Sequence, residues 1–233
     1  MGSGTVLIEA ALMGIKSIGI DSSPFCRFMA QVKLDALRLP LSPVRAALTE
    51  SRSVFEHFKA QVGQPKRGAK MRDDGYSRDL FSVSEPSPAY RLVPRDDQRL
   101  PRGCDAPDVY SFLLLAYLDS AGYSERSDRK SPYEQFRAIL ERYLFVAEKI
   151  QRVLAGAESE LAESRPLEGD ARNLPLEDSS VDGILFSPPY SFAIDYLEND
   201  SFHLEFLGVD VSELRERMVG LRGRTLAQKY ELY

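Results

Sequence analysis

Lys16-Ser17-Ile18-Gly19-Ile20-Asp21 decides the fold class of this chain. Two isoleucines alternate with small residues and lead to a single acid, the pattern of a short buried strand whose last residue leaves the sheet. Working outward, Thr5 to Met13 is an apolar, helix-compatible run. Gly14 follows where a helix C-terminal glycine belongs. On the other side, Pro24 marks the first turn of a second helix, which Phe25 to Leu37 fills with Ala, Met, Val and Leu. Helix, strand and helix in close succession predict an α/β unit.

The same alternation returns near the end of the chain. Gly169-Asp170-Ala171-Arg172 reads as the end of a strand, and Leu174 to Ser180 as a polar connection. Val181-Asp182-Gly183-Ile184-Leu185-Phe186 is expected to be a further buried strand that runs directly into Ser187-Pro188-Pro189-Tyr190. Tyr196 to Leu207 is aromatic-rich and helical in part, and Ser212 to Leu221 is a capped, charged helix. Strands that end in polar residues and are separated by helices predict a mostly parallel sheet, with ligands bound beyond the strands' carboxyl ends. Asp21, Asp170 and Ser187 are expected to meet there.

Three regions result: residues 1–39, a middle region 40–162, and 163–233. The middle region is of another character. Gln64 to Arg102 is rich in Gly, Pro, Ser, Arg and Asp, and predicts long loops. It holds nine Lys or Arg against six Asp or Glu, a local basic excess in a chain of net charge −5. Nucleic-acid binding would therefore rest on a local patch rather than a global field. Asp108 to Ser120 and Ser131 to Leu154 read as amphipathic helices, the second opened by a capping-box spacing, Ser131 to Glu134, with Pro132 at the first helical position.

Several functional classes are disfavoured. Cys26 and Cys104 have neither metal-site spacing nor the density of a disulfide framework, and no metal ligand set is expected. His57 and His203 each lie among phenylalanines and form no catalytic constellation. The longest apolar stretch, Tyr110 to Leu118, is too short to span a bilayer, and no signal-like segment opens the chain, so a cytoplasmic protein without a membrane partner is expected.

Gly2-Ser3-Gly4-Thr5 stands at the start of a helix, where glycines allow close backbone approach and unpaired N–H groups face a ligand. It lacks the Gly-Lys-Ser/Thr ending of a phosphate-binding loop, which disfavours nucleotide hydrolysis. Asp21, about 20 residues on, is placed to accept hydrogen bonds from ribose hydroxyls. Asp170 could accept from an adenine amine or cap its own turn. In Ser187-Pro188-Pro189-Tyr190 the two prolines end the strand's ladder and leave carbonyls as acceptors. The Ser187 hydroxyl and Pro188 carbonyl suit the hydrogens of an aromatic amine, favouring its pyramidal, nucleophilic form. Tyr190 offers a face for an extruded base.

Together, Gly2 to Ala11, Ile18 to Asp21, Gly169 to Ala171 and Phe186 to Tyr190 resemble the DNA amino-methyltransferases. The resemblance implies a Rossmann-like sheet with a mainly helical and loop insertion, and S-adenosyl-L-methionine as cofactor. Gly2, Ser3, Gly4 and Thr5 would form the cofactor loop. Asp21 would hold the ribose and Asp170 the adenine, with Ser187, Pro188, Pro189 and Tyr190 as the catalytic motif. It further implies DNA as partner, through a target-recognition region in the insertion, in the setting of restriction and modification. The leading serine of the motif points to cytosine N4 rather than adenine N6. An RNA base amine is an alternative acceptor. Relative to the family pattern the chain looks short at both ends, so an inactive or partner-dependent fragment with a binding role is the third reading.

Overall fold

The computed structural model describes residues 1–62, 100–124, 130–156, 160–187 and 195–218. Helix α1 (Thr5–Leu12) leads into strand β1 (Ser17–Asp21), and helix α2 (Pro24–Asp35) follows. Ser23 caps α2: its hydroxyl accepts from the Cys26 amide, and Pro24 occupies the first turn, where its missing N–H costs nothing. Gly14 has a φ of 75°, the left-handed geometry that ends a helix cheaply only at glycine. The helix–strand–helix order expected of the N-terminal region is present, with β1 half-buried rather than buried.

Helices α3 (Leu41–Thr49), α4 (Ser51–Lys59), α5 (Pro107–Ser124) and α6 (Pro132–Ala155) make up the middle region. The expected long loops from Gln64 to Arg102 fall mainly on residues 63–99, outside the described residues. Helix α5 is apolar on all sides, and every residue from Val109 to Leu118 is buried. A helix of that composition must be surrounded. It is: Phe136, Ile139 and Leu140 of α6, Val44 of α3, and Val54 and Phe58 of α4 join it in one core. The core continues into α2 through Phe25, Phe28 and Val32. The predicted capping box on α6 is formed, with Ser131 Oγ accepting from the Glu134 amide and the Glu134 carboxylate accepting from the Ser131 amide.

Strand β2 (Ser164–Glu168) returns beside β1 in parallel register, Ser17 opposite Ser164 and Asp21 opposite Glu168. The Ser17 and Ser164 hydroxyls meet at 2.7 Å, and the Ser164 hydroxyl also donates to the Leu7 carbonyl of α1. Arg27 Nε donates to the carbonyl of Pro166, joining α2 to β2. Among the described residues the sheet has these two strands alone, within a mixed α/β architecture that is mostly helical.

Two further expectations are overturned. Asp108 to Ser120 is helical but not amphipathic, since α5 is buried all round from Val109 to Leu118. Val181 to Phe186 forms no strand, and Ile184, Leu185 and Phe186 are 75%, 79% and 78% exposed. Periodicity measures only how apolar a segment is. Burial also needs a paired neighbour and a covering layer, and no described strand pairs with this segment. Asp21 and Asp170 therefore share one end of the sheet without Ser187 joining them as a strand terminus.

Helices α7 (Tyr196–Asn199), α8 (Ser201–Phe206) and α9 (Val211–Arg217) close the described chain. Both histidines are buried in the core. The His203 ring stacks on Phe25 at 4.4 Å and its Nε2 lies 3.0 Å from the Leu118 carbonyl, while His57 Nε2 lies 3.3 Å from the Tyr110 hydroxyl.

Phe136, fully buried against Phe55 and Tyr117, should lose about 3–5 kcal/mol of stability on replacement by alanine, measured as a fall in the urea midpoint at constant slope.

Candidate functional site

The carboxyl ends of β1 and β2 form one locus. The Gly169 amide donates to the Asp21 carbonyl at 2.9 Å, extending the parallel ladder by one bond and carrying Asp170 to the same end of the sheet as Asp21. Gly169 needs to be glycine here: a Cβ would stand 2.9 Å from Ile20 Cγ2.

The glycine turn closes over this end. The Gly2 amide donates to Asp21 Oδ2 at 2.8 Å, and the Ser23 amide donates to Oδ1 at 3.0 Å. Gly4 is the N-cap of α1 with a φ of 81°, and no side chain caps the helix. The amides of the first turn thus remain available to a ligand, the electrostatic arrangement that favours anions and polar groups at helix starts. A Cβ at Gly4 would lie 2.6 Å from Ala30 Cβ and 2.8 Å from Ala30 Cα. Helix α2 therefore rests directly against the turn. At Gly2 nothing lies within 4 Å of where a Cβ would stand, so the turn has an open side. The Ser3 and Thr5 hydroxyls are 3.2 Å apart at its rim.

Gly2, Ser3, Gly4, Thr5 and Asp21 thus come together. Asp170 lies at the same sheet end but is engaged locally, accepting from the Arg172 amide at 2.9 Å and from Arg172 Nε at 2.9 and 3.0 Å. The hydrogen bond to Asp170 pushes the Arg172 guanidinium above its ordinary value. A carboxylate has about four acceptor positions, and the Arg172 amide and guanidinium occupy them, so a ligand amine would have to displace part of this pairing. Ser187 is exposed and outside regular structure. Pro188, Pro189 and Tyr190 lie outside the described residues.

Two residues, Lys33 beside the turn and Asp195 in the C-terminal helices, were not marked by the sequence. Lys33 Nζ donates to the Ser3 carbonyl at 2.9 Å. Its place three residues after Ala30 on α2 was the available clue. Asp195 accepts from the Glu198 amide as N-cap of α7 and pairs with Arg215 of α9 at 2.8 Å. Burial opposes ionisation of Asp195, but the bonds from Arg215 and from the Glu198 and Leu197 amides outweigh it and hold the carboxyl below the usual aspartate value. Cys26 sits near Asp21. Its thiol is pushed up to about 12, first by burial and then by the Asp21 charge, so it stays protonated and is no nucleophile. Among the described residues no group of three or more His, Cys, Asp or Glu could hold a metal ion, and no helix is long and apolar enough to cross a membrane.

Comparison with known proteins adds one relative. Over 85 residues the chain is 32% identical to the Type II methyltransferase M.MjaII of Methanocaldococcus jannaschii. The matched stretch covers 36% of this chain and 16% of that protein. What the chain is similar to is therefore a limited stretch of a methyltransferase. No family model and no solved structure matches.

Two outcomes follow from the geometry. Gly4→Ala would force a left-handed φ and a clash with α2, at a cost of about 1–3 kcal/mol, read as a lowered thermal midpoint. The Asp195–Arg215 pair stabilises the fold while Asp195 is ionised. Because the folded-state value is depressed, that stabilisation is complete above the unfolded aspartate value near 4 and is lost as pH falls from there through the folded value. The stability gap between the wild type and Asp195→Asn should be constant at neutral pH and shrink below about pH 4, measured by urea unfolding across pH.

Proposed function

We propose that this chain is part of an S-adenosylmethionine-dependent methyltransferase that acts on an exocyclic base amine in DNA, with cytosine N4 as acceptor. The observation that carries the reading is the Gly2 amide bound to Asp21 Oδ2 beside an uncapped helix start. A turn of that geometry accepts the cofactor's backbone-contacting end, and its acid accepts ribose hydroxyls. Asp170, at the same sheet end, supports an acceptor for the adenine amine. The partial likeness to a type II methyltransferase agrees in reaction class.

When bound, the cofactor supplies an electrophilic methyl group. The protein's part is to hold and polarise. Gly2 and Gly4 keep side chains away from the cofactor's path, and Asp21 orients the ribose. The Ser187 hydroxyl and the Pro188 carbonyl would accept hydrogen bonds from the target amine, drawing its lone pair out of conjugation as the new bond forms. Tyr190 would stack on the extruded base, worth about 1–3 kcal/mol. The middle region, 40–162, is the place for target recognition in this reading.

A second reading is favoured by one observation. The apolar, exposed stretch Ile184-Leu185-Phe186 immediately precedes Ser187, which suits a chain that completes its sheet only in a larger assembly. In that case it would be partner-dependent, with a binding role when alone.

Transfer of tritiated methyl from S-adenosylmethionine to duplex DNA is the deciding measurement, with total RNA in parallel. Incorporation into DNA cytosine that falls at least about a hundredfold in Ser187→Ala is the expected outcome. Equal incorporation by the wild type and the variant would overturn the assignment, and preference for RNA would move the acceptor.

A further inference from the structure

Lys33 is a half-buried cation at the edge of the glycine turn. Its stem runs along the face of α2 that carries Ala30, the residue on which Gly4 rests. Among the described residues no carboxylate lies within ion-pair distance of its ammonium. Asp119 acts on it only at longer range, and burial is the strongest influence on its charge, disfavouring the protonated form. An ammonium has three donors, and the hydrogen bond to the Ser3 carbonyl uses one. At its half-buried position the ammonium keeps two donors for an anion at the turn.

The turn is thus polarised. On one side the Gly2 amide holds the Asp21 carboxylate, an acceptor suited to hydroxyls. On the other, the carbonyl of the adjacent Ser3 holds a cation. A ligand with a diol at one end and a carboxylate at the other would match both poles across one peptide. We propose that Lys33 binds the carboxylate of the amino-acid end of S-adenosylmethionine, as a further cofactor-binding residue reaching the turn from α2. This rests on the cofactor reading given under Proposed function. The alternative role for Lys33 is a brace that merely holds the turn in shape through Ser3.

Calorimetry on the full chain separates the two with a pair of ligands: S-adenosylhomocysteine, which carries the carboxylate, and 5′-methylthioadenosine, which lacks it. Lys33→Met and Lys33→Gln should each weaken S-adenosylhomocysteine about tenfold to a hundredfold while leaving methylthioadenosine within about twofold, and Lys33→Arg should recover most of the loss. The ratio of the two affinities is internal to each protein, so a general loss of folded material cannot imitate the result. Parallel losses for both ligands would identify a brace and overturn the proposal, as would unchanged affinity for both. Absence of any binding by the wild type would instead bring down the cofactor reading itself, and this assignment with it.

Discussion

Ala30 of α2 lies where the Cβ of any residue other than glycine at position 4 would stand. That single close approach organises the functional end of the molecule. It seats α2 against the start of α1, holds Gly4 in a left-handed conformation as the helix N-cap, and brings the Gly2 amide onto Asp21. It also sets the height of Lys33 relative to the turn. A small residue facing a small residue is all the chemistry required, because backbone-to-backbone contact is limited only by side-chain bulk.

The sheet and the helical core reinforce this arrangement from opposite sides. Parallel pairing of β1 with β2 aligns Asp21 with Glu168 and delivers Asp170 just beyond. Helix α2 then belongs to both structures, with Arg27 bonded to the Pro166 carbonyl of β2 and Phe25, Phe28 and Val32 in the core built around α5. At the C-terminal end of α2, Gln151 of α6 donates to the carbonyls of Ala36 and Leu39, both at 2.9 Å. Carbonyls at a helix end lack intrahelical partners, so these bonds tie α6 to the helix that supports the site. The middle region thus braces the helix that supports the turn and Asp21.

Much of the fold was legible because local physics decided it. Ser23 with Pro24, Ser131 with Glu134, and Gly14 each mark a helix end through groups within a few residues of one another. The strand ending at Asp21 was legible for the same reason, as was the lack of a catalytic constellation around the two histidines. The segment Val181 to Phe186 was not. Its apolar pattern is that of a buried strand, yet burial depends on a neighbour that the segment itself does not encode. Lys33 was hidden likewise, since a lysine on a helix says nothing about which turn lies within reach of its stem.

By itself the sequence determined most of the elements, most of their ends, and the candidate turn and acids: Gly2 to Thr5, Asp21 and Asp170. Those are properties of short stretches, set by steric freedom, capping and hydrophobic period. Tertiary structure alone decided which of them meet. It joined Gly2 to Asp21 across nineteen positions and brought Lys33 to Ser3 across thirty. It also left Phe186 in solvent. Contacts between distant segments depend on how whole helices pack, and that is settled by volume and close approach rather than by any local pattern.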